Sequence, residues 1–282
     1  MSNTYNAIDD ATRLGFEAIE LEVCREQNLI ELEQNKEKLK NYLETKHLKT
    51  VNVAAIFPEL LSGDDKSRDK GLRLFARTTE LASFFGAPLT QTDTFTPPVE
   101  YIGARPYSTT IAFAERYRVR IPSGFSWNSY WKRIVDILSR CAVMADERHL
   151  KFAIEPRVGE NVSNSDLMLR LIDEIGMENF GAVLDAGHLH AQKELLPISI
   201  EKLNTKILYV HVSDNDGRDN YHRAPGKGTI DWEAVFEGLR KYDFKGHIAV
   251  DVGGKDIEDR LDQEVLLAKG FVERMGKKYS LW

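Results

Sequence analysis

The chain has 282 residues, of which 38 are Lys or Arg and 44 are Asp or Glu, so its formal net charge is −6. Hydrophobic residues make up 42% and charged residues 29%, ordinary values for a globular protein that exclude a disordered, collagen-like or membrane-embedded chain. Because a negative net charge repels phosphate backbones and anionic lipid, we expect neither nucleic acid nor a membrane surface as a partner.

Short runs rich in β-branched or apolar residues alternate with longer segments of helical period. In chain order, the predicted strands are AIELEV at 18–23, VNVAAIF at 51–57, PLTQTDTF at 88–95, FAIEP at 152–156, GAVLDAGH at 181–188, ILYVHVS at 207–213 and HIAVDVGG at 247–254. This alternation is typical of a parallel sheet built from βα units. The absence of a linker or a shift in composition favours a single domain over residues 1–282. We expect an α/β fold, a (β/α)8 TIM barrel whose first strand is short or missing, since only residues 1–5 precede the first predicted helix at 7–14.

The segments between the strands include helices with readable patterns and one long loop. Segment 131–149 places apolar residues at helical spacing, with charges on the opposite face. Segment 163–176 begins with candidate N-caps and stops at Gly176. The Pro-rich stretch 96–126 is longer than an ordinary loop and predicts a lid over one end of the barrel. Aromatic side chains on and beside it could stack on a substrate or pack against the barrel rim: Tyr101, Tyr107, Phe113, Phe125 and Trp127.

Acidic residues and histidines lie at the carboxyl ends of four consecutive predicted strands in the C-terminal half. Glu155 closes the first of these strands, and Asp185 and His188 close the second. His211 lies in the third and Asp251 in the fourth. The carboxyl ends of parallel barrel strands meet at one mouth, so we expect these side chains to converge there. Carboxylates with one or two imidazoles suit a hard or borderline cation, which predicts one divalent metal ion, Mn²⁺, Mg²⁺, Co²⁺ or Zn²⁺.

The segments that hold these residues resemble the xylose isomerase-like barrel superfamily, which includes sugar epimerases, inosose dehydratases and endonuclease IV. The similarity is specific in FAIEPRVGENVSNSD, VLDAGHLH, YVHVSDNDGRDNYHRAPGKGTIDW and AVDVGG, and more general over the strands and helices before them. The resemblance implies that four residues on successive strands bind one divalent metal. In this chain they are Glu155, Asp185, His211 and Asp251.

The same resemblance implies contacts to a substrate. The histidine three residues after the metal-binding aspartate is His188, which in the family contacts substrate or another metal. Arg218 lies close to the place of a substrate-binding arginine, and His222 precedes the family's Gly-x-Gly element, here 226–228. Arg157 lies at the same mouth, where it either contacts a substrate oxygen or pairs with a neighbouring acid. We expect these four side chains to bind substrate.

Two departures from the family pattern bear on the reaction. Asp251 stands where the family's epimerases have a glutamate that is both ligand and acid/base, and its side chain is one methylene shorter. The nuclease branch uses three zinc ions, held by additional histidines and by an aspartate where this chain has Asn220. The predicted strands that end near Phe57 and Thr94 offer no histidine, so we do not expect a trinuclear zinc centre.

The candidate residues and the resemblance together predict a metal-dependent isomerase or epimerase of a sugar or polyol ketone that acts through an enediolate. Glu155 is the expected base, and Asp251 is the residue expected to return a proton on the other face. Two alternatives stay open. One is an inosose dehydratase-like lyase, which begins with the same deprotonation, and the other is a non-catalytic sugar-binding barrel whose metal site has decayed.

Three further expectations concern redox chemistry, location and assembly. Cys24 and Cys141 lie far apart, which argues against a disulfide framework or a cysteine zinc site. The sequence has no apolar run as long as a membrane span, and its polar first ten residues lack the apolar stretch of a secretory signal. We therefore expect a cytoplasmic protein. The resemblance adds the expectation of a homo-oligomer.

Overall fold

The computed structural model describes residues 2–106 and 117–282. The strands formed by these residues are β1 (Ala18–Val23), β2 (Lys49–Ala55), β3 (Leu89–Thr92), β4 (Glu100–Tyr101), β5 (Val119–Arg120), β6 (Lys151–Ile154), β7 (Phe180–Asp185), β8 (Ile207–Val212) and β9 (His247–Val250). The helices are α1 (Ser2–Arg13), α2 (Glu26–Thr45), α3 (Asp65–Phe85), α4 (Trp127–Asp146), α5 (Ser165–Ile175), α6 (Ala186–Ala191), α7 (Leu196–Leu203), α8 (Trp232–Lys241) and α9 (Leu261–Tyr279). Among the described residues, no helix is long and apolar enough to span a membrane.

The chain divides into two compact units. Unit 1 comprises Met1–Asp93, Trp131–Ala153 and Ile175–Phe180, and unit 2 comprises Thr94–Tyr130, Ile154–Glu174 and Gly181–Trp282. Unit 1 holds β1 to β3 with α1 to α3, whereas unit 2 holds β8, β9 and nearly all of β7 with the C-terminal helices. The expectation of one domain over residues 1–282 stays a prediction.

In unit 1, β1 pairs with β2 and β2 pairs with β3, both in parallel. The pairing of β1 with β2 shifts register between Ile19 and Glu20. The side-chain nitrogen of Asn52, in β2, donates to Glu20 Oε2 at 2.7 Å and to Gln91 Oε1 at 2.8 Å. One buried amide therefore joins side chains of three neighbouring strands, which satisfies polar groups that would otherwise be costly to bury.

Local sequence sets both ends of α3 in unit 1. At its start the Asp64 carboxylate accepts a hydrogen bond from the Ser67 N–H at 2.8 Å, which is a helix N-cap. At its end Gly86 adopts a left-handed conformation with φ of 73°, which glycine tolerates without steric cost. Within the helix, Gly71 lets the backbone of α3 pack closely against the backbone at Leu60. A Cβ at position 71 would lie only 2.5 Å from the backbone nitrogen of Leu60.

In unit 2, the parallel strands β7, β8 and β9 position the candidate site. Asp185 at the end of β7 is opposite His211 in β8, and Val212 is opposite Val250 at the end of β9. All six residues of β7 are buried, as is usual for a parallel strand that is covered on both faces. The carboxyl ends of the three strands therefore lie side by side, and Asp251 follows the last of them directly.

Each predicted strand has an observed counterpart, although several end earlier than predicted. Segment 181–188 is a strand only to Asp185, because the Asp185 side chain then caps α6 by accepting the His188 N–H at 2.7 Å. The extension of this strand to residue 188 was therefore wrong. The predicted helix at 7–14 is observed as Ser2–Arg13, and the described residues before β1 contain no strand, in agreement with the expectation of a short or missing first strand.

The predicted lid segment contains an antiparallel pair that the sequence did not predict. β4 pairs with β5, and the Glu100 and Arg120 side chains form an ion pair across it at 3.1 Å. The rings of Phe125 and Trp127 pack near the ring of Tyr130, with centroids 5.6 and 6.2 Å away. The lid aromatics Tyr107 and Phe113 lie outside the described residues, and the lid function of this segment stays a prediction.

Candidate metal centre

Three of the predicted metal ligands lie together in unit 2. Glu155 directly follows β6, Asp185 ends β7 and His211 lies near the end of β8. All three are buried, and one ligand atom from each lies within 4.8 Å of the others. His211 Nδ1 is 3.6 Å from Glu155 Oε1 and 3.7 Å from Asp185 Oδ2. The parallel pairing of β7 with β8 accounts for part of this arrangement, because it sets Asp185 opposite His211.

The hydrogen bonding of Asp185 fits a bound cation. Its Oδ1 accepts the His188 N–H at 2.7 Å, whereas its buried Oδ2 accepts no hydrogen bond from the residues that the structure describes. Leaving a buried polar atom unsatisfied costs about 1 to 3 kcal/mol. Two carboxylates and an imidazole are donors that divalent ions such as Mn²⁺, Co²⁺ and Zn²⁺ accept. The residues present therefore fit a divalent metal ion, which Glu155, Asp185 and His211 would hold.

The two carboxyl groups of this cluster have opposite pKa shifts. Burial raises the pKa of Glu155 to about 7, although His211 and Arg157 act against the shift. Burial acts on Asp185 in the same direction, but the imidazoles of His188 and His211 outweigh it and hold the pKa of Asp185 well below its usual range. Such a difference suits one permanent ligand beside one proton acceptor.

His188 lies buried beside this cluster, with Nε2 3.9 Å from Glu155 Oε1. Burial lowers the pKa of His188 to about 3, so its ring is neutral near pH 7. The Arg157 Nε lies 3.4 Å from His188 Nε2, and Arg157 Nη1 lies 3.9 Å from Glu160 Oε1. The structure therefore brings two of the four predicted substrate residues next to the candidate ligands, and Arg157 also pairs with a neighbouring acid.

The fourth predicted ligand pairs with another predicted substrate residue. Asp251 Oδ2 lies 2.9 Å from His222 Nδ1, and the Asp251 backbone oxygen lies 3.1 Å from the same nitrogen. Burial disfavours the charged form of His222, but the Asp251 carboxylate outweighs this and raises the pKa of His222 to about 9. Among the described residues, Asp251 is not one of the three whose ligand atoms lie within 4.8 Å of one another. Its role as a metal ligand stays a prediction.

Arg218 lies apart from these residues. It is exposed on the loop that follows β8. Its backbone N–H donates to the Asp216 carboxylate at 2.9 Å, and so does the N–H of Asp219 at 3.1 Å. These contacts fix the backbone of the turn and leave the guanidinium in solvent. Of the predicted substrate residues, Arg218 is the one that the structure does not bring to the others.

Asn220 is a site residue that the sequence marked only as a departure from the nuclease pattern. It is 3% exposed, and its Nδ2 lies 3.0 Å from His222 Nε2 and 3.1 Å from His188 Nδ1. It joins two imidazoles whose ring centroids are 5.7 Å apart. The signal that could have identified it is its position two residues before a candidate substrate histidine.

Asp214 holds the loop that carries Asn220 and His222. Its side chain is fully buried, and its backbone pairs with Arg223, whose oxygen accepts the Asp214 N–H at 2.8 Å. Four N–H groups donate to its carboxylate, those of Gly226 at 2.8 Å, Trp232 Nε1 at 2.9 Å, Asn215 at 2.9 Å and Ile230 at 3.3 Å. Asp214 was not predicted as a site residue, although an acidic side chain directly after a predicted buried strand was a usable signal.

The sequence of the chain matches one family model over most of its length. Residues 8–269 match the model described as xylose isomerase-like TIM barrel. Among curated proteins, an inosose dehydratase from Glaesserella parasuis serovar 5 (strain SH0165) is 24% identical over 171 residues, which cover 53% of this chain and 54% of that protein. The chain spans about half the length of the curated relatives it matches.

Solved structures with the same fold include an IolI protein and a D-psicose 3-epimerase. The IolI protein with a bound zinc atom has a TM-score of 0.74 and 20% identity, covering 96% of this chain and 92% of that one. A D-psicose 3-epimerase from Clostridium cellulolyticum H10, with D-tagatose, has a TM-score of 0.73 and 16% identity, covering 98% and 94%. At these identities the likeness concerns the fold, and it confirms the predicted α/β TIM barrel class. The chain belongs to the xylose isomerase-like TIM barrel family.

Proposed function

We propose that this chain is a metal-dependent isomerase or epimerase of a sugar or polyol ketone. The observation that carries the proposal is the buried group of Glu155, Asp185 and His211, whose ligand atoms lie within 4.8 Å of one another. The comparisons support a small sugar or polyol as the substrate, since one relative is named an inosose dehydratase and one neighbour in fold is a D-psicose 3-epimerase.

One divalent ion per chain is held by Glu155, Asp185 and His211, with Asp251 as the fourth ligand. Mn²⁺, Mg²⁺, Co²⁺ and Zn²⁺ all suit such donors, and a zinc atom is bound in the IolI structure. When bound, the ion supplies Lewis acidity that stabilises negative charge on a substrate oxygen. His222 Nδ1 lies 2.9 Å from Asp251 Oδ2, and Asp251 would be the residue that completes the ligand set. Manganese as the resident ion stays a prediction.

Glu155 is the base in this proposal. Burial raises the pKa of the Glu155 carboxyl in the metal-free chain to about 7, and a positioned carboxylate can accept a proton from carbon. A Glu155 oxygen takes the proton from the carbon beside the substrate carbonyl. The Asp251 carboxyl takes up a proton from water and returns it to the other face, and Glu155 then releases its own proton to water. Positioned proton transfer of this kind typically contributes about 10² to 10⁴ in rate.

Four side chains bind oxygen atoms of the substrate in this proposal: His188, Arg157, His222 and Arg218. His188 and Arg157 are the nearest to the base, because His188 Nε2 lies 3.9 Å from Glu155 Oε1 and 3.4 Å from Arg157 Nε. His222 acts from the side of Asp251. Arg218 is exposed, so its contact requires the loop after β8 to move over the bound substrate.

A second candidate is a lyase or dehydratase, which the inosose dehydratase relative favours. It starts with the same proton removal by Glu155, and a β-hydroxyl then leaves in place of the return of a proton to carbon. The short side chain of Asp251 favours isomerisation or elimination over inversion by two opposed carboxylates. A sugar-binding barrel without catalysis is the third possibility, and it predicts no exchange of substrate hydrogen.

A panel of ketoses and inososes in D₂O tests the proposal. The metal-loaded chain should replace the hydrogen beside the carbonyl with deuterium, which proton NMR records as the loss of that signal. New signals then distinguish an epimer, an aldose or ketose isomer and an elimination product. E155Q should lose the exchange, whereas D173N, an exposed change on α5, should keep it. Metal uptake without exchange in any member of the panel would contradict the enzyme and favour the binding protein.

A further inference from the structure

Phe95 has an unusual backbone conformation, with a φ of 55°. It is one of seven described residues other than glycine whose φ is positive. The other six lie within three residues of the end of a helix, where the left-handed conformation is common: His47, His149, Lys193, Asn204, Asp243 and Ser280. Phe95 instead follows a strand, β3. This conformation is sterically unfavourable for a residue with a bulky side chain, so the surrounding structure must hold it in place.

Hydrogen bonds within unit 2 fix the Phe95 backbone on both sides. Its N–H donates to Glu160 Oε2 at 2.8 Å. Its carbonyl oxygen accepts the Asn161 N–H at 2.9 Å and Asn161 Nδ2 at 3.0 Å. The preceding N–H, of Thr94, donates to the same Glu160 oxygen at 2.9 Å. Residues that are held so firmly in an unfavourable conformation cluster at functional sites, where the strain is part of the function.

Glu160 links Phe95 to the candidate site. Its side chain is buried, and while Oε2 accepts the Phe95 N–H, Oε1 lies 3.9 Å from Arg157 Nη1. Arg157 Nε in turn lies 3.4 Å from His188 Nε2. One carboxylate therefore lies between the Phe95 backbone and an arginine that we propose to bind substrate.

Neither these hydrogen bonds nor the hydrophobic core accounts for a phenylalanine at position 95. Every hydrogen bond described above uses backbone atoms of Phe95, and glycine would make the same bonds in this conformation without steric cost. Phe95 is half-buried, whereas Phe236 in the same unit is 0% exposed. The ring is thus only partly covered by the protein, although it is the part of the residue that makes the conformation costly.

The candidate site lacks an apolar wall. Its ligands, its base and its proposed substrate contacts are all charged or polar, whereas pockets for small molecules are lined mainly by apolar and aromatic side chains with a few polar groups among them. An aromatic ring beside Arg157 would supply such a wall, because it offers a large and rigid apolar surface.

We propose that Phe95 is a substrate-contacting residue whose ring packs against the C–H face of the bound sugar or polyol. This role rests on the proposed function. Glu160 and Asn161 hold the ring in place through the backbone, and the unfavourable φ is the cost of presenting it. Stability and binding should therefore respond in opposite directions when the ring is removed.

F95G tests this directly, because glycine removes the ring and the backbone strain together. In urea, the metal-free F95G chain should keep or raise its midpoint of unfolding. Loaded with Zn²⁺, it should bind sugar about tenfold more weakly, the effect expected from the loss of one aromatic contact. Calorimetric titration with D-tagatose, D-psicose and an inosose measures this affinity, and the sugar that binds the unmodified chain most tightly is used for every variant.

Three further variants control for other causes. K193G relieves a positive φ of 66° at an exposed residue after α6 and should leave sugar affinity unchanged. F95N has no ring, tolerates the left-handed conformation and is less flexible than glycine, so it should lose affinity as F95G does. F95Y keeps a ring and should keep the affinity.

Two results would overturn the role of Phe95 while the proposed function stands. One is a urea midpoint of F95G clearly below that of the unmodified chain, which would make Phe95 a packing residue whatever sugar is used. The other is sugar affinity that is equal in F95G and the unmodified chain, or that falls in F95G and not in F95N, since the ring would then not contact the sugar. Failure of all three sugars to bind the unmodified chain would instead contradict the proposed function, and the contact proposed for Phe95 with it.

Discussion

The Asp251 carboxylate lies 2.9 Å from Nδ1 of His222, and the two residues come from different parts of unit 2. Asp251 directly follows β9, whereas His222 lies on the loop after β8. Carboxylates that bind metals are commonly held by a further hydrogen bond from a neighbouring group, which orients them. The pair therefore gives Asp251 a fixed orientation, with one carboxylate oxygen held by an imidazole.

Changing the two members of this pair should affect metal binding to different degrees. D251N removes the carboxylate that we propose as the fourth ligand, whereas H222F removes only the group that orients it, and loss of such support typically costs about 10-fold to 100-fold in affinity. We expect D251N to weaken binding of Zn²⁺ or Mn²⁺ more than H222F does, as measured by competition with a chromophoric chelator. D173N serves as the control. Equal losses in D251N and H222F would remove Asp251 from the ligand set.

Metal affinity should depend on pH through Glu155. Burial raises the pKa of this carboxyl to about 7, so below pH 7 the metal-free chain holds a proton that the ion must displace. The apparent dissociation constant should therefore rise by about tenfold for each pH unit below 7 and become less dependent on pH above it. Titrations of the chelator-treated chain at pH 5.5, 6.5 and 7.5 measure this slope. E155Q should bind more weakly and lose this contribution to the slope, and a slope unchanged in E155Q would assign the proton to another group.

The strand order and the cluster of ligands could be predicted because both depend on short, local patterns. Each buried parallel strand appears in the sequence as a continuous apolar run. A residue at the carboxyl end of such a run lies at the mouth of a barrel where the other carboxyl ends also meet. Asp185 and His211 satisfy this rule, and their pairing across β7 and β8 is its consequence. The strand predicted at 181–188 continued beyond the end of β7, because the sequence does not show that the Asp185 side chain caps α6.

The contacts made by Asn220 and Asp214 could not be predicted, because they depend on how one loop folds back on itself. The Asp214 carboxylate collects N–H groups from positions up to 18 residues away, and no periodic pattern indicates which backbone groups will point to it. The Asn220 amide is oriented through Asn215 by two backbone groups.

The cytoplasmic location and the homo-oligomer stay predictions, since each depends on partners or surroundings outside the chain.

H188A should separate substrate binding from metal binding. The contact between residue 188 and the Asp185 carboxylate is made by the backbone N–H, which alanine retains. The imidazole is lost together with any hydrogen bond that it makes to substrate. We expect metal stoichiometry to be kept while KM rises or kcat falls, as measured by elemental analysis and steady-state kinetics. Loss of the metal in a folded H188A chain would make His188 a ligand.

D214A should destabilise the chain far more than D216A, although the two residues are neighbours on the same loop. Removing the buried Asp214 carboxylate leaves four N–H groups without their acceptor. We expect a loss of about 2 to 4 kcal/mol in the free energy of unfolding, measured with urea. Asp216 is exposed and accepts N–H groups that water can also satisfy, so D216A should cost less than about 1 kcal/mol. Similar losses in both variants would contradict the role given to Asp214.

The dependence of substrate exchange on metal occupancy shows whether the reaction requires the ion. The chelator-treated chain is titrated with Mn²⁺ or Zn²⁺ in D₂O, and deuterium incorporation beside the carbonyl of a reactive ketose or inosose is followed by NMR at each step. We expect exchange to be absent without metal, to rise in proportion to occupancy and to reach its limit at one ion per chain. Exchange at full rate in the metal-free chain, or a limit reached only at three ions per chain, would contradict it.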